Sequence, residues 1–594
     1  MQDVFRQHFV KKLAGFSGKS EEEINRTISR PPDAAMGEYA SSAPFLTLTA
    51  ISNQNKDKLL GLSEAYESAS AQKNPKQIAE ELSSKFQQDE FISSVEAVGG
   101  YVNARINRHK VIEISLQAAF AEKEKYGSSS TGNGKTVVLD FSSPNIAKPF
   151  GIGHLRSTVI GAALKRIYDS LGYKTVGINF LGDWGTQFGK LAVAFQKWGD
   201  EAKMGDGPVE YLNELYVKYH EESEKNPALE QEARAWFLRL EQGNKEERRL
   251  WEHFKELSLK EFSRIYDLLG VSFDSYAGES FFNDKMGPVI DELARLGLTK
   301  ESQGALIVDL EPYGMTPCLL KKADGATLYA TRDITAAMWR YNEYGFDKLV
   351  YVVGSDQKLH FRQFFKVLEL AGKNWAKNCY HVNFGLIRFK GEKMSTRRGK
   401  IVMLEDVLDR AIELTREIVK DREMSADKKE VIAKAVGIGA VIFNDLKNKR
   451  AKDVDFDWQT VLNYDSETKS FKGETGPYLQ YTHTRLSSLL RNYDAVIDGK
   501  ADFGLLKEDL EFQISRELYR FPQVIEDAAE QFEPSLISNY LIDLASKFSR
   551  YWHDVRIIGS DNELTKARIL LAFAAKTVMA NGLNLLGIAP LEEM

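Results

Sequence analysis

The period at which apolar residues recur changes several times along this chain. Over residues 1 to about 132, stretches at helical spacing alternate with short runs of strand character such as Phe91-Ile92-Ser93-Ser94-Val95-Glu96-Ala97-Val98. This predicts a separate α/β unit, closed by Gly127-Ser128-Ser129-Ser130-Thr131-Gly132-Asn133-Gly134, a composition that reads as a linker. The β-branched run Thr136-Val137-Val138-Leu139-Asp140 then opens a strand, loop, helix, strand order ending at 175–180, the spacing of a parallel βαβ unit. Residues from about 200 to 270 are highly charged, with helical apolar periodicity over 233–240 and 250–268, which predicts a helical insertion splitting the sheet. The sheet should resume at 347–354 and again at 381–387. Beyond about residue 405 the strand signal disappears, and amphipathic helices with short connections predict a bundle. The last segment, from Asn581 to Pro590, stays apolar, so it should dock rather than fray.

Length and composition narrow this further. At 594 residues and 43% hydrophobic content the chain calls for three or four domains. No run of about 18 apolar residues suggests a membrane span. The opening Met1-Gln2-Asp3-Val4-Phe5-Arg6 has neither a secretory apolar core nor an Arg/Ser-rich presequence, which points to the cytosol; whether the product also serves mitochondria is left open. Two cysteines, Cys318 and Cys379, are far apart and lack metal spacing, so they are expected to be buried and reduced. A net charge of −6 excludes a surface that binds nucleic acid throughout but permits a local basic track. The candidates are 393–400, with four cations in eight residues, and Lys447-Asn448-Lys449-Arg450-Ala451-Lys452, which reads equally well as a solvated helix end.

After the first strand comes Phe141-Ser142-Ser143-Pro144-Asn145-Ile146-Ala147-Lys148-Pro149-Phe150-Gly151-Ile152-Gly153-His154-Leu155-Arg156-Ser157-Thr158, where Pro and Gly turn the chain, Gly153 lets backbone approach a ligand, and a helix N-terminus favours phosphate. Far downstream, Gly391-Glu392-Lys393-Met394-Ser395-Thr396-Arg397-Arg398-Gly399-Lys400 gathers cations and glycines in a short loop. Together the two strings resemble the paired signatures of class I aminoacyl-tRNA synthetases. With Gly473-Glu474-Thr475-Gly476-Pro477-Tyr478-Leu479-Gln480-Tyr481, they more closely resemble the arginyl-tRNA synthetases of eukaryotic, fungal cytosolic type, over almost the whole chain. A dinucleotide-dependent oxidoreductase is a weak alternative, because the first turn lacks G-x-G-x-x-G.

The resemblance implies a multidomain α/β protein: an N-terminal tRNA-elbow-binding α/β domain (1–132), a parallel Rossmann-like catalytic domain (133–405) with a helical insertion at about 200–275, and an α-helical anticodon-binding domain (406–594). It implies arginine:tRNA ligase activity through an arginyl-adenylate. The partners would be L-arginine, ATP with Mg²⁺ and tRNA(Arg), with no protein-bound metal, no membrane and a monomeric state. Lys148, His154, Lys393, Ser395 and Arg397 would serve catalysis, with Thr396 at the family's usual second lysine and Lys148 compensating. Gly151, Gly153, His154, His381, Val382 and Met394 would bind ATP. Asp140, Ser142, Ser143, Asn145, His154, Tyr329, Asp333 and Gln357 would bind arginine, with Tyr329 and Asp333 one helical turn apart and Asp140 where the family more often has Glu. Val98, Tyr101 and Asn103 would meet the tRNA elbow, although on the sequence alone Tyr101 reads first as a half-buried strand residue. Glu474, Tyr478, Tyr481, Arg485, His553 and Met594 would meet the anticodon side, where an aromatic stripe at this spacing is also a common core pattern. Position 557 is Ile where some relatives carry an aromatic. Gly151 departs from the usual His-x-Gly-His, which leaves open a catalytically impaired, tRNA-binding relative.

Overall fold

The computed structural model describes residues 3–33, 36–46, 74–205, 207–323, 325–389, 392–393, 402–559 and 561–594, with side chains omitted at 389 and 392–393. They form two units. The first comprises residues 1–126, 490–523 and 546–578; the second comprises 127–489, 524–545 and 579–594.

In the first unit, β1 (Ile28–Ser29), β2 (Tyr39–Ser41), β3 (Ile92–Val98) and β4 (Tyr101–Ile106) form an antiparallel sheet in the order β1-β2-β4-β3. Its helices start where sequence sets them. Ser20 and Glu23 make a capping box at one, and Asn74 and Gln77 make another, followed by Pro75 in the first turn. Phe5, Phe9, Leu13, Val102 and Ala104 pack with Phe512 and Tyr519 of the helix Asp509–Glu530 in one apolar core.

The second unit is built on a parallel sheet in the order β11-β10-β5-β6, from β5 (Thr136–Asp140), β6 (Lys174–Ile178), β10 (Lys348–Tyr351) and β11 (Cys379–His381). The helix Leu155–Ser170 lies so close to the chain leaving β5 that a Cβ on Gly161 would sit 2.2 Å from the Phe141 ring, which is why a glycine stands there. Three insertion helices, Pro208–Lys225, Ala228–Glu241 and Lys245–Leu269, follow β6, and the last two contain the stretches of helical periodicity read in the sequence. The antiparallel strands β7 (Thr299–Ser302), β8 (Ala305–Val308) and β9 (Cys318–Lys321) come next, then the helices Tyr329–Tyr344 and Lys358–Leu370. Both cysteines are buried and free.

Three readings of the sequence need correcting. The Gly/Ser tract is not a loose linker: Ser129 and Gly132 donate backbone hydrogen bonds to Ser170 and Leu171, and a Cβ on Gly132 would strike Tyr173. The strand expected to continue the parallel sheet past His381 instead forms β12 (Ile387–Phe389), paired with β13 (Glu392–Lys393) and with β14 (Val454–Phe456). Strands therefore persist beyond residue 405, including the short pair β15 (Tyr464–Asp465) and β16 (Ser470–Phe471). The C-terminal segment is docked: Gln480 Nε2 donates to the Ala589 carbonyl at 2.9 Å, and the His483 ring meets the Leu591 carbonyl at 2.7 Å. The helix Asn562–Leu586 is long and apolar enough to cross a membrane, but 72% of its apolar window is buried inside the protein, as in a core helix.

Candidate active site

The loop after β5 is held in a conformation that ordinary residues avoid. Ser142, Ser143 and Ala147 have φ of 70°, 50° and 57°, left-handed values that cost on the order of 1 kcal/mol each. Neighbours hold them there. The Ser142 N–H donates to Ser157 Oγ (2.8 Å), the Ser142 hydroxyl bonds the Tyr266 hydroxyl (2.8 Å) and accepts from Thr158 (2.8 Å), and the Ala147 N–H donates to Ser258 Oγ (2.9 Å). Tyr266 and Ser258 belong to the insertion helix Lys245–Leu269, so the insertion buttresses the first signature.

The segment after the second signature returns to the first. Ile152 N–H donates to the Val402 carbonyl, Leu404 N–H donates to the Phe150 carbonyl, both at 3.0 Å, and Gly151 forms an antiparallel bridge with Met403. Met394, Ser395 and Arg397 lie outside the described residues, and Lys393 is described only in its backbone, in β13.

On the first signature, Gly153 is exposed, its φ is unremarkable, and a Cβ there would meet nothing within 4 Å, so a ligand has room against this backbone. His154 packs on Phe150, with ring centroids 4.9 Å apart, and its Nδ1–H donates to the Gly151 carbonyl at 3.2 Å, an assigned tautomer. Burial pushes the His154 pKa down, the Gly151 carbonyl opposes this, and the Lys148 ammonium lowers it further. Lys148 is half-buried, its ammonium 5.9 Å from the Tyr216 ring centroid. Across the sheet, His381 stacks on Phe361 at 4.1 Å and its Nε2–H donates to the Val353 carbonyl at 3.0 Å. Val382 requires a correction: its side chain is buried and its N–H is spent on the Tyr351 carbonyl, so only its own carbonyl could face a nucleotide.

On the other side of β5, Tyr329 begins the helix Tyr329–Tyr344, is 65% exposed, and stands a turn before Asp333. Asp333 is not paired with its neighbour Arg332: its Oδ2 lies 2.5 Å from His360 Nε2, while Arg332 pairs with Glu279 at 3.3 Å. Glu279 carries no spacing signal in the sequence, and only the fold places it beside this helix. Burial raises its pKa to about 7; Arg332 pulls it down, while Asp333 and Asp183 push it up. Asp183 is fully buried and saturated by Lys255 (2.6 Å) and the Ser280 N–H and hydroxyl (both 2.8 Å). Asn145 is exposed, bridging Gly182, and Gln357 is exposed, donating to Asp356.

Two of the residues expected to bind arginine are engaged within the protein. Asp140 is buried, lies 2.8 Å from the buried Arg340 guanidinium, and accepts from the Ser143 hydroxyl at 2.9 Å, so it anchors the loop instead of offering a free carboxylate. Burial pushes the Asp140 carboxyl up and the Arg340 guanidinium opposes this. Ser142 is likewise buried, its hydroxyl already engaged twice.

Among the tRNA candidates of the first unit, Val98 and Tyr101 are exposed, with Tyr101 5.3 Å from Phe45 between ring centroids, and His553 is exposed. Asn103 is the exception: on the central strand β4, paired with Ala40 and Glu96, it is only 4% exposed and cannot reach a base. In the second unit, Glu474 is exposed, and Tyr478, Tyr481 and Met594 are half-buried around Val419, Ile432, Val436 and Phe471. The Arg485 guanidinium lies 5.8 Å from the Tyr481 ring. Among the described residues no group of three or more His, Cys, Asp or Glu could hold a metal ion.

A parallel sheet whose first loop is zipped to the segment that follows a cation-rich stretch of sequence is the framework of a class I aminoacyl-tRNA synthetase. The family described as tRNA synthetases class I (R), catalytic domain, matches residues 115–458. The DALR anticodon binding domain matches 479–594, and the arginyl tRNA synthetase N terminal domain matches 3–106. The chain belongs to the arginyl-tRNA synthetase family and is an arginine--tRNA ligase.

The arginine--tRNA ligase of Alkaliphilus metalliredigens is 45% identical, covering 98% of this chain and 99% of its own length, and that of Halothermothrix orenii is 47% identical, covering 96% of each. The arginyl-tRNA synthetase of Thermus thermophilus shares the fold, with a TM-score of 0.80 at 23% identity over 99% of this chain and all of that one. These relatives are bacterial and lend the fungal cytosolic subtype no support.

Proposed function

We propose that ATP, with its Mg²⁺, lies across Gly153 and His154 toward His381 and the Val382 carbonyl, and that arginine lies with its guanidinium at Tyr329, Asp333 and Glu279. Ser143, Asn145 and Gln357 are the polar groups left for its α-amino end once Asp140 and Ser142 are committed to the loop. The arginine carboxylate attacks the α-phosphorus, the bond to the β,γ-diphosphate breaks, and arginyl-adenylate forms; a terminal ribose hydroxyl of tRNA(Arg) then attacks the activated carbonyl and AMP leaves. No side-chain nucleophile is needed, because positioning and charge stabilisation carry both steps. Lys148 meets the negative charge growing on the α-phosphate, together with Lys393, Ser395 and Arg397 of the second signature, while Met394 stays among the ATP contacts. Val98, Tyr101 and His553 on one unit, and Glu474, Tyr478, Tyr481, Arg485 and Met594 on the other, are the tRNA-facing candidates. The protein acts as a cytosolic monomer; two buried free thiols are in keeping with a reducing compartment.

The observation that carries this reading is the backbone pairing of 150–152 with 402–404, which holds the chain just past the second signature against the first. The Gly151 peptide is part of that pairing, so position 151 serves the framework through its backbone whatever side chain it bears. The test is charging of total tRNA with labelled arginine by the wild type, Lys148→Ala and Gly151→His. Loss of one oxyanion donor or cation typically costs about a hundredfold in rate. Lys148→Ala should therefore fall by about that factor with an unchanged melting temperature, and Gly151→His should stay within about tenfold of wild type. Charging by Lys148→Ala within twofold of wild type would remove Lys148 from catalysis; wild-type charging that is negligible until Gly151→His restores it would favour the impaired relative.

A further inference from the structure

The basic stretch Lys447-Asn448-Lys449-Arg450-Ala451-Lys452 reads in the sequence as a surface track, yet two of its residues are tied into the protein beside the nucleotide site. Arg156, in the first turn after His154, is 1% exposed, and its Nε lies 2.8 Å from Oδ1 of Asp445, 2% exposed, at the end of the helix Ala426–Leu446. Its Nη1 donates to the Lys452 carbonyl at 2.7 Å, and its guanidinium lies 5.7 Å from the Phe384 ring centroid. Arg450 reaches the other wall: its Nη1 donates to the Asn383 carbonyl at 2.6 Å, one residue past Val382, and its Nε donates to the Phe532 carbonyl at 3.1 Å. Gly385 N–H donates to the Arg450 carbonyl at 2.9 Å, and a Cβ on Gly385 would lie 2.5 Å from the Lys452 carbonyl oxygen, so the fit leaves no slack.

A buried ion pair is often no more stabilising than apolar side chains of the same volume; what it supplies is a fixed direction between the elements it joins. Here those elements are the turn that follows the Asp445 helix, the start of the His154 helix, and the chain just past His381–Val382. We propose that Arg156 and Arg450 are positioning residues for ATP, a clamp through which the Asp445 helix end sets the separation of the two walls of the nucleotide site; this rests on the ATP placement proposed above. Neither arginine touches the reacting atoms. Displacement of the turn moves both walls, so the effect falls on ATP and not on the guanidinium side, which hangs on the helix Tyr329–Tyr344.

The experiment is steady-state arginylation with the full chain and total tRNA, varying ATP and arginine separately. Arg450→Ala should raise the ATP KM about tenfold and leave the arginine KM within twofold, since small misplacements in such sites are costly. Because Arg156→Ala alone would strand a buried carboxylate, the second variant is Arg156→Met with Asp445→Leu, which should melt at the wild-type temperature and show the same ATP-specific rise, with Arg156→Lys intermediate. ATP KM values within twofold of wild type for Arg450→Ala and the double variant, or ATP and arginine KM values rising in step, would overturn the clamp. His154→Ala separates the two failures. If it leaves ATP KM and kcat untouched, the ATP placement fails and takes the clamp with it; if it impairs them while the clamp variants do not respond, only the clamp fails.

Discussion

Arginine affinity should depend on pH through Glu279. Its carboxyl, 9% exposed, is raised from 4.5 to about 7 chiefly by burial, with Asp333 and Asp183 adding like charge and Arg332 opposing. Holding it ionised in the free protein therefore costs about 3 kcal/mol relative to water. The sign follows from linkage. A carboxyl with a raised folded-state pKa binds its proton more tightly when folded, so its contribution to stability is full below pH 4.5 and is lost as pH rises through about 7. A bound guanidinium reverses this preference, because it interacts with the ionised form. With a pKa of about 7, roughly a tenth of Glu279 is ionised at pH 6 and nine tenths at pH 8, so the Kd for L-arginine should be about tenfold weaker at pH 6. Titration calorimetry of the full chain at both pH values measures this, since arginine's own guanidinium stays charged throughout. Glu279→Gln should flatten the dependence and raise the melting temperature of the arginine-free protein at pH 8 but not at pH 5. A wild-type Kd that is constant from pH 6 to 8, or a Gln variant with the wild-type slope, would refute the assignment.

Three further outcomes are expected. Arg340→Met leaves Asp140 buried without its counter-ion and should lower stability by about 3–5 kcal/mol in urea denaturation, whereas Asp140→Leu with Arg340→Met should recover much of it. Gly161→Ala puts a methyl into the Phe141 ring and should destabilise by about 1–3 kcal/mol despite the better helix propensity, read as a lower melting temperature. Tyr481→Ala should weaken tRNA binding by about 1–3 kcal/mol in filter-binding titrations, with the arginine KM unchanged.

What the sequence discloses, and what it hides, follows from the range of the forces involved. The β-branched run Thr136–Asp140 and the insertion helices Ala228–Glu241 and Lys245–Leu269 declare themselves because their apolar pattern is local and long enough to read. The strand β14 does not: it is three residues, Val454-Asp455-Phe456, inside a charged segment, and it exists because β12 lies beside it. The sequence does not show that Asp140 is engaged, because Arg340 is 200 residues away in the chain, and it does not show that Asn103 is covered, because alternation along a strand does not say which face is buried. Glu279 is silent for the same reason, since nothing adjacent to it in sequence signals the Asp333 helix.

These non-local partners also give the site its polarity. The carboxylates Glu279 and Asp333 are collected on the Tyr329 helix side, whereas the ammonium of Lys148 and the imidazoles of His154 and His381, kept toward neutrality by burial, are on the side proposed for the nucleotide. Arginine is a rod with a cation at one end and a carboxylate at the other, and ATP is a polyanion. With arginine and ATP placed as proposed above, a field of this sense would orient the amino acid before any hydrogen bond is made, with its guanidinium toward the acids. On that placement a reversed substrate would be disfavoured, because reversal would carry the guanidinium to the Lys148 ammonium and leave Glu279 and Asp333 facing a zwitterionic end with no net charge. The strained Ser142–Ala147 loop ties the two regions together. Ser142 bonds Ser157 and Thr158 of the His154 helix, and the buried Asp140–Arg340 pair anchors the end of β5 to the Tyr329 helix.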